Sequence, residues 1–107
     1  MIKTNITSRH FKAHDTLTDY LVQEINSLEK YQVNIIHADA ILFFEKATNS
    51  VKICEIIVKL KEKTLTAKES SDDFVKSIDK AVQKIQTQLL KHKDKTTDRK
   101  GAKALKQ

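Results

Sequence analysis

The stretch KICEIIVKLKEKTLTAK, residues 52–68, decides the fold. Cys54, Ile56, Val58 and Leu60 alternate with Ile53, Glu55, Ile57 and Lys59, a period of two that predicts a strand with two distinct faces. Lys61-Glu62-Lys63 must then turn the chain, although the triplet lacks glycine. Beyond it Leu65 and Ala67 face inward while Thr64, Thr66 and Lys68 face out. Working backward, Ala38, Ala40, Leu42 and Phe44 alternate with His37, Asp39, Ile41 and Phe43, and Thr48-Asn49-Ser50 offers turn side chains. Three strands joined by such short connections predict an antiparallel meander.

Helical spacing flanks the meander on both sides. Leu17, Tyr20, Leu21, Ile25 and Leu28 recur at intervals of three and four, with His14-Asp15-Thr16 as capping candidates, Asp19 in the first turn and Lys30 at the end. Gln32–Ile36 connects this helix to the meander. Ahead of it Ile2, Thr4, Ile6 and Ser8 alternate as a further half-buried strand. After the meander Ser70, Ser71, Asp72 and Asp73 signal a helix start. Phe74, Ile78, Ala81, Val82, Ile85 and Leu89 then make a second apolar stripe that reaches to about His92. The predicted order is β-α-β-β-β-α: an α+β domain over residues 1–93, with two helices packed on one face of a four-stranded sheet. Residues 94–107 are a basic tail, expected to be disordered.

Composition sets the class. The chain has 107 residues, which suits one core, and no apolar run long enough to span a bilayer. The single cysteine, Cys54, cannot pair within the chain and fits a reducing, cytoplasmic setting. Formal net charge is +6, and it is unevenly placed. Residues 1–72 balance ten basic side chains against ten acidic ones, whereas residues 73–107 hold ten basic against four acidic. A local excess of this kind attracts polyanions, and the plain alternative is a solvated surface.

Geometry favours the polyanion. At about 100° per residue, Lys76, Lys80, Lys84, Thr87 and Lys91 share an arc of roughly 80° on the second helix, apart from its apolar stripe. Asp79 and Gln86 flank this row without interrupting it. Lysines four apart repel one another, so stability alone does not select them. Lys93, Lys95 and the tail are expected to extend the row. Because lysine is a point charge rather than a planar fork, the expectation is phosphate and shape recognition with little base readout.

Catalytic constellations are missing from the sequence. Cys54 alternates onto an apolar face, where a thiol is inert. His10 and His14 straddle a predicted strand end and helix start, so their spacing carries no metal signal. Asp72-Asp73 reads as a cap, and a single glycine, Gly101, cannot build a phosphate-binding loop. Phe43 and Tyr31 are exposed aromatic candidates for base stacking, with packing as the competing role. No enzyme, cofactor, metal or small-molecule substrate is expected.

Five motifs, in order, carry a resemblance: Asn5-Ile6-Thr7-Ser8-Arg9-His10, Leu28-Glu29-Lys30-Tyr31, Leu42 with Glu45-Lys46, Asp73-Phe74 with Ser77-Ile78-Asp79, and Lys84 with Gln88-Leu89 and Lys91-His92-Lys93. Over residues 1 to about 95 the chain resembles the ribosome hibernation promoting factor/YfiA family. The resemblance implies a fold like that of double-stranded RNA-binding domains. It implies docking on ribosomal RNA in the messenger and transfer-RNA channel of the small ribosomal subunit, with translation silenced by occlusion in stationary phase or stress. The implied contacts are Lys76, Lys80, Lys84, Lys91 and Lys93, with Arg9 and Lys30 added from matching positions.

Glu24 and Ser27 stand where the family usually carries basic residues, which moves the expected binding onto the second helix and the tail or implies weaker affinity. The chain is expected to lack the long dimerising extension of some members, and its tail is basic rather than acidic. The resemblance is thus to the short branch, which acts with a separate ribosome modulation factor to pair ribosomes. Two other readings stay open: a general RNA-binding module, and a regulator that binds proteins through its tail.

Overall fold

The computed structural model describes residues 2–31, 34–45 and 51–98. Strand β1 (Thr4–Ser8) is followed by α1 (Asp15–Asn26) and a 3₁₀ turn (Ser27–Tyr31), then β2 (Ile35–Phe44), β3 (Lys52–Leu60), β4 (Thr64–Ser71) and α2 (Phe74–Asp98). The sheet order is β1-β2-β3-β4. The meander is antiparallel as expected, and β1 joins its edge in parallel, with Thr4 opposite Ala38 and Ser8 opposite Leu42. A parallel neighbour needs a crossover, and α1 supplies it.

The alternating residues go where period two sends them. Ala38, Ala40, Leu42, Cys54, Ile56, Val58, Leu60, Leu65 and Ala67 are all buried on the helix-covered face. Both helical stripes meet them: Leu21, Ile25 and Leu28 from the first, and Phe74, Ile78, Ala81, Val82, Ile85 and Leu89 from α2. At one end of this core Phe11 stacks on Phe74 at 5.2 Å and meets Phe44 edge-on at 5.0 Å. Burial pushes the Cys54 thiol up to about 12, so it stays protonated and unreactive in the folded chain.

Several local expectations are corrected. The first helix gives way after Asn26 to the 3₁₀ turn, where the Ser27 hydroxyl donates to the Glu24 carbonyl at 2.6 Å, while Leu28 remains fully buried. His14 gives no side-chain cap; its carbonyl instead accepts from Leu17 and Thr18 at 3.0 and 3.1 Å. Ser70 and Ser71 belong to β4, which leaves Asp73 to cap α2 by accepting the Val75 N–H at 2.9 Å. Helix α2 continues to Asp98, past the expected end at His92, because nothing before Gly101 breaks it. The turn at Thr48-Asn49-Ser50 and the tail beyond Asp98 lie outside the described residues.

Ser77 is a buried polar residue that apolar periodicity passes over. Its hydroxyl is fully buried and donates to the Lys52 carbonyl at 2.6 Å, which fastens α2 to the start of β3. Ser77→Ala is expected to cost about 1–2 kcal/mol, since the carbonyl loses its donor inside the fold. A lowered urea midpoint with an unchanged slope is the check.

Candidate nucleic-acid interface

Helix α2 sets its lysines along the open edge of β4. Between Lys76 and Lys91 the helix rises about 22 Å, so the row is long enough to follow several phosphates. The heads of Lys76, Lys80 and Lys84 are placed by β4 or by the turn after it. Lys76 Nζ lies 3.4 Å from Asp72 Oδ1, and this ammonium lowers the Asp72 carboxyl from its ordinary value, first through the hydrogen bond and then through its charge. Lys80 donates to the Ser70 carbonyl at 3.3 Å. Lys84 meets Glu69 Oε2 at 2.7 Å. Gln88 donates to the Thr66 carbonyl at 2.8 Å, so two side chains of α2 serve carbonyls on the edge of β4. Lys91 is exposed at the far end.

Asp79 leaves the row free, as expected, because it faces the other helix and accepts a hydrogen bond from the Tyr20 hydroxyl. That bond, with burial and the nearby Glu24 and Asp79 charges, holds the Tyr20 phenol up at about 12. Between helix and strand runs an open groove of about 430 Å³, whose lining includes Thr66, Lys68, Lys84, Thr87 and Gln88.

The other expected contacts lie apart. Lys93 is about 180° round the helix from Lys84 and about 40° from Asp79, so it stands on the flank that faces α1 and does not extend the row. Lys30 sits on the 3₁₀ turn with its ammonium 5.4 Å from the Tyr31 ring centroid. Arg9 projects from the end of β1 onto the sheet face that no helix covers, 5.2 Å from the Phe43 ring. Between residues 15 and 26 α1 has no basic residue, and it exposes Asp15 and Asp19. Glu69, which neutralises part of the row, and Lys68, which widens it, were missed. Both follow from the register of β4 once that strand is extended to Ser71.

Among the described residues no three His, Cys, Asp or Glu side chains cluster to hold a metal ion, and no helix is long and apolar enough to cross a membrane. The lysine row is a cationic surface, and salt weakens the attraction of such a surface for anions.

Comparison with known proteins gives the same fold. The structure of a ribosomal subunit interface protein from Coxiella burnetii superposes with a TM-score of 0.75 at 23% identity, over 87% of this chain and 99% of that one. The N-terminal domain of Thermus thermophilus Protein Y superposes at 0.72 with 24% identity, over 83% and 96%. In sequence, the ribosome hibernation promotion factor of Staphylococcus aureus (strain COL) is 30% identical over 93 residues, which are 87% of this chain and 49% of that protein. The chain thus spans about half the length of that relative. Residues 4–97 match the family described as Sigma 54 modulation protein / S30EA ribosomal protein, a span that holds every described strand and all but the last residue of α2. On that match the expected family is met, and the chain belongs to the Sigma 54 modulation protein / S30EA ribosomal protein family.

Proposed function

We propose that this protein is a ribosome hibernation factor. It binds the small ribosomal subunit in the channel for messenger and transfer RNA, and it silences translation by occupying that space. The lysine row of α2 along the edge of β4 carries the reading. Ribosomal RNA presents phosphates in a fixed arrangement, and a rigid helix with cations every turn fits such an array without reading bases. Exclusion of message supplies the inhibition, while charge supplies the residence time. No bond is made or broken, so the role is binding and not catalysis.

Family membership and the hibernation factor and subunit interface protein among its relatives support the ribosome as partner. The test is cosedimentation with purified small and large subunits at low salt. Binding to small subunits alone is expected, and prior loading with message and transfer RNA should abolish it. Equal binding to loaded and empty subunits would replace this reading with a general RNA-binding module.

A further inference from the structure

The face of the sheet turned away from both helices carries the outward residues of the four strands. Near one end of it, on the two inner strands, Phe43 stands opposite Ile53, and Ile41 and Ile57 lie half-buried further along the same face. The three other phenylalanines, Phe11, Phe44 and Phe74, pack on one another. Among the described residues Phe43 has no ring partner. It has two cations instead, Arg9 Cζ at 5.2 Å from the ring centroid and Lys68 Nζ at 5.6 Å. Among the described residues neither cation has a carboxylate within ion-pair distance, although Glu55 stands across the ladder from Lys68.

The placement is fixed by the backbone. Arg9 N–H donates to the Leu42 carbonyl at 2.9 Å, which extends the β1–β2 contact by one residue. His10 then turns with φ 66° and sends Phe11 into its aromatic cluster. Lys68 belongs at once to this face and to the groove that Lys84 lines. That groove, which Glu55 also lines, links the α2 row round the edge of β4 to Lys68 and so to Phe43.

We propose that Phe43, Arg9 and Lys68 form a base-stacking site for single-stranded RNA. An unpaired base lies on the Phe43 ring, and Arg9 and Lys68 swing from the ring to the flanking phosphates. This rests on the reading of the α2 row as an RNA contact and gives the strand a path beyond it. A half-buried aromatic ring on an open sheet face, flanked by unpaired cations, matches what a base and its phosphates require, and stacking on it tolerates any base. The exchange is favourable, because a base covers the apolar ring while the cations trade a π-face for full charges.

The chain has no tryptophan, so Phe43→Trp installs a unique fluorophore at the site. The probes are a twelve-nucleotide oligo(rA), inorganic polyphosphate of equal charge and a twelve-base-pair RNA duplex. Oligo(rA) is expected to quench the indole, and polyphosphate and duplex are expected to leave its emission unchanged. Phe43→Leu should weaken oligo(rA) about tenfold and leave polyphosphate binding as it was.

Charge reversal at Lys80 and Lys84 separates the two readings. If reversal weakens oligo(rA) while Phe43→Trp is not quenched and Phe43→Leu binds normally, the stacking site is overturned and the row stands. If oligo(rA) quenches the indole but ignores the reversal, the row reading falls and the stacking site stands. No binding of oligo(rA) at all overturns both. Self-association that Phe43→Leu abolishes, with RNA binding unchanged, would assign the patch to a second copy of the chain and overturn the proposal.

Discussion

Exchanging Lys80 and Lys84 for glutamate is expected to lower affinity for isolated small subunits by about 100-fold or more. Each lysine offers one charge-assisted contact to a phosphate, and losing such a contact costs about 1.5–3 kcal/mol, so two together exceed about two decades in affinity. Reversal adds repulsion to the loss. The slope of log affinity against log salt should also fall by about 1.4, or about 0.7 for each single-strand phosphate no longer neutralised. Lys84→Glu places a second carboxylate beside Glu69, so Lys80→Gln/Lys84→Gln is the companion variant, with the same direction and smaller size. Thermal unfolding of both keeps binding and folding apart. The same reversal at Lys30 and Lys93, which lie off the row, should change affinity less than about tenfold. Equal losses from the two pairs would mean that the bound surface is not the β4 flank.

The second large effect concerns the core. Ile56→Ala is expected to destabilise the domain by about 4 kcal/mol, near the upper part of the range for such truncations. Ile56 is fully buried, and its ladder neighbours on the two adjoining strands are Ala40 and Ala67. Its cross-strand neighbours offer only two methyl groups, so no larger side chain on its row can move into the void. A domain of this size holds about 5–15 kcal/mol in total, so the urea midpoint should fall by about 2 M with an unchanged slope. Ile57, one residue along and on the open face, is the internal control. Ile57→Ala should cost less than about 1 kcal/mol beyond its lost strand preference. Equal costs at the two positions would mean that both faces of the sheet are covered.

Period two and period 3.6 carried most of the fold, because burial on one side is the constraint they record. Every residue assigned inward from Ala38 to Leu42, from Cys54 to Leu60 and at Leu65 and Ala67 is buried. Pairing partners are less visible. Nothing in Thr4–Ser8 says that β1 runs parallel to β2, since direction follows from the crossover and not from the strand. The lysine row was legible from helical spacing alone, and the same spacing sets Lys93 apart from it. Glu69, Lys68 and the Arg9–Phe43 contact depend on which residues face one another across strands. Register sets those neighbours, and a run of alternating residues does not announce its register. Phe43 alternated outward as expected. Its two cations come from β4 and from the end of β1, 25 residues after it and 34 residues before it along the chain.

The parallel edge has a consequence for the order of assembly. Within the meander, paired residues begin close together: Phe44 faces Lys52 and Lys59 faces Thr64. Helix α2 follows β4 directly, so this part of the core closes through short loops. Strand β1 meets β2 only across a constant separation of 34 residues, from Thr4 to Ala38 and from Ser8 to Leu42. Loop closure over that distance costs about 1 kcal/mol more than over the hairpin turns, and α1 must fold in between. Strand β1 is therefore expected to be the last of the four to dock.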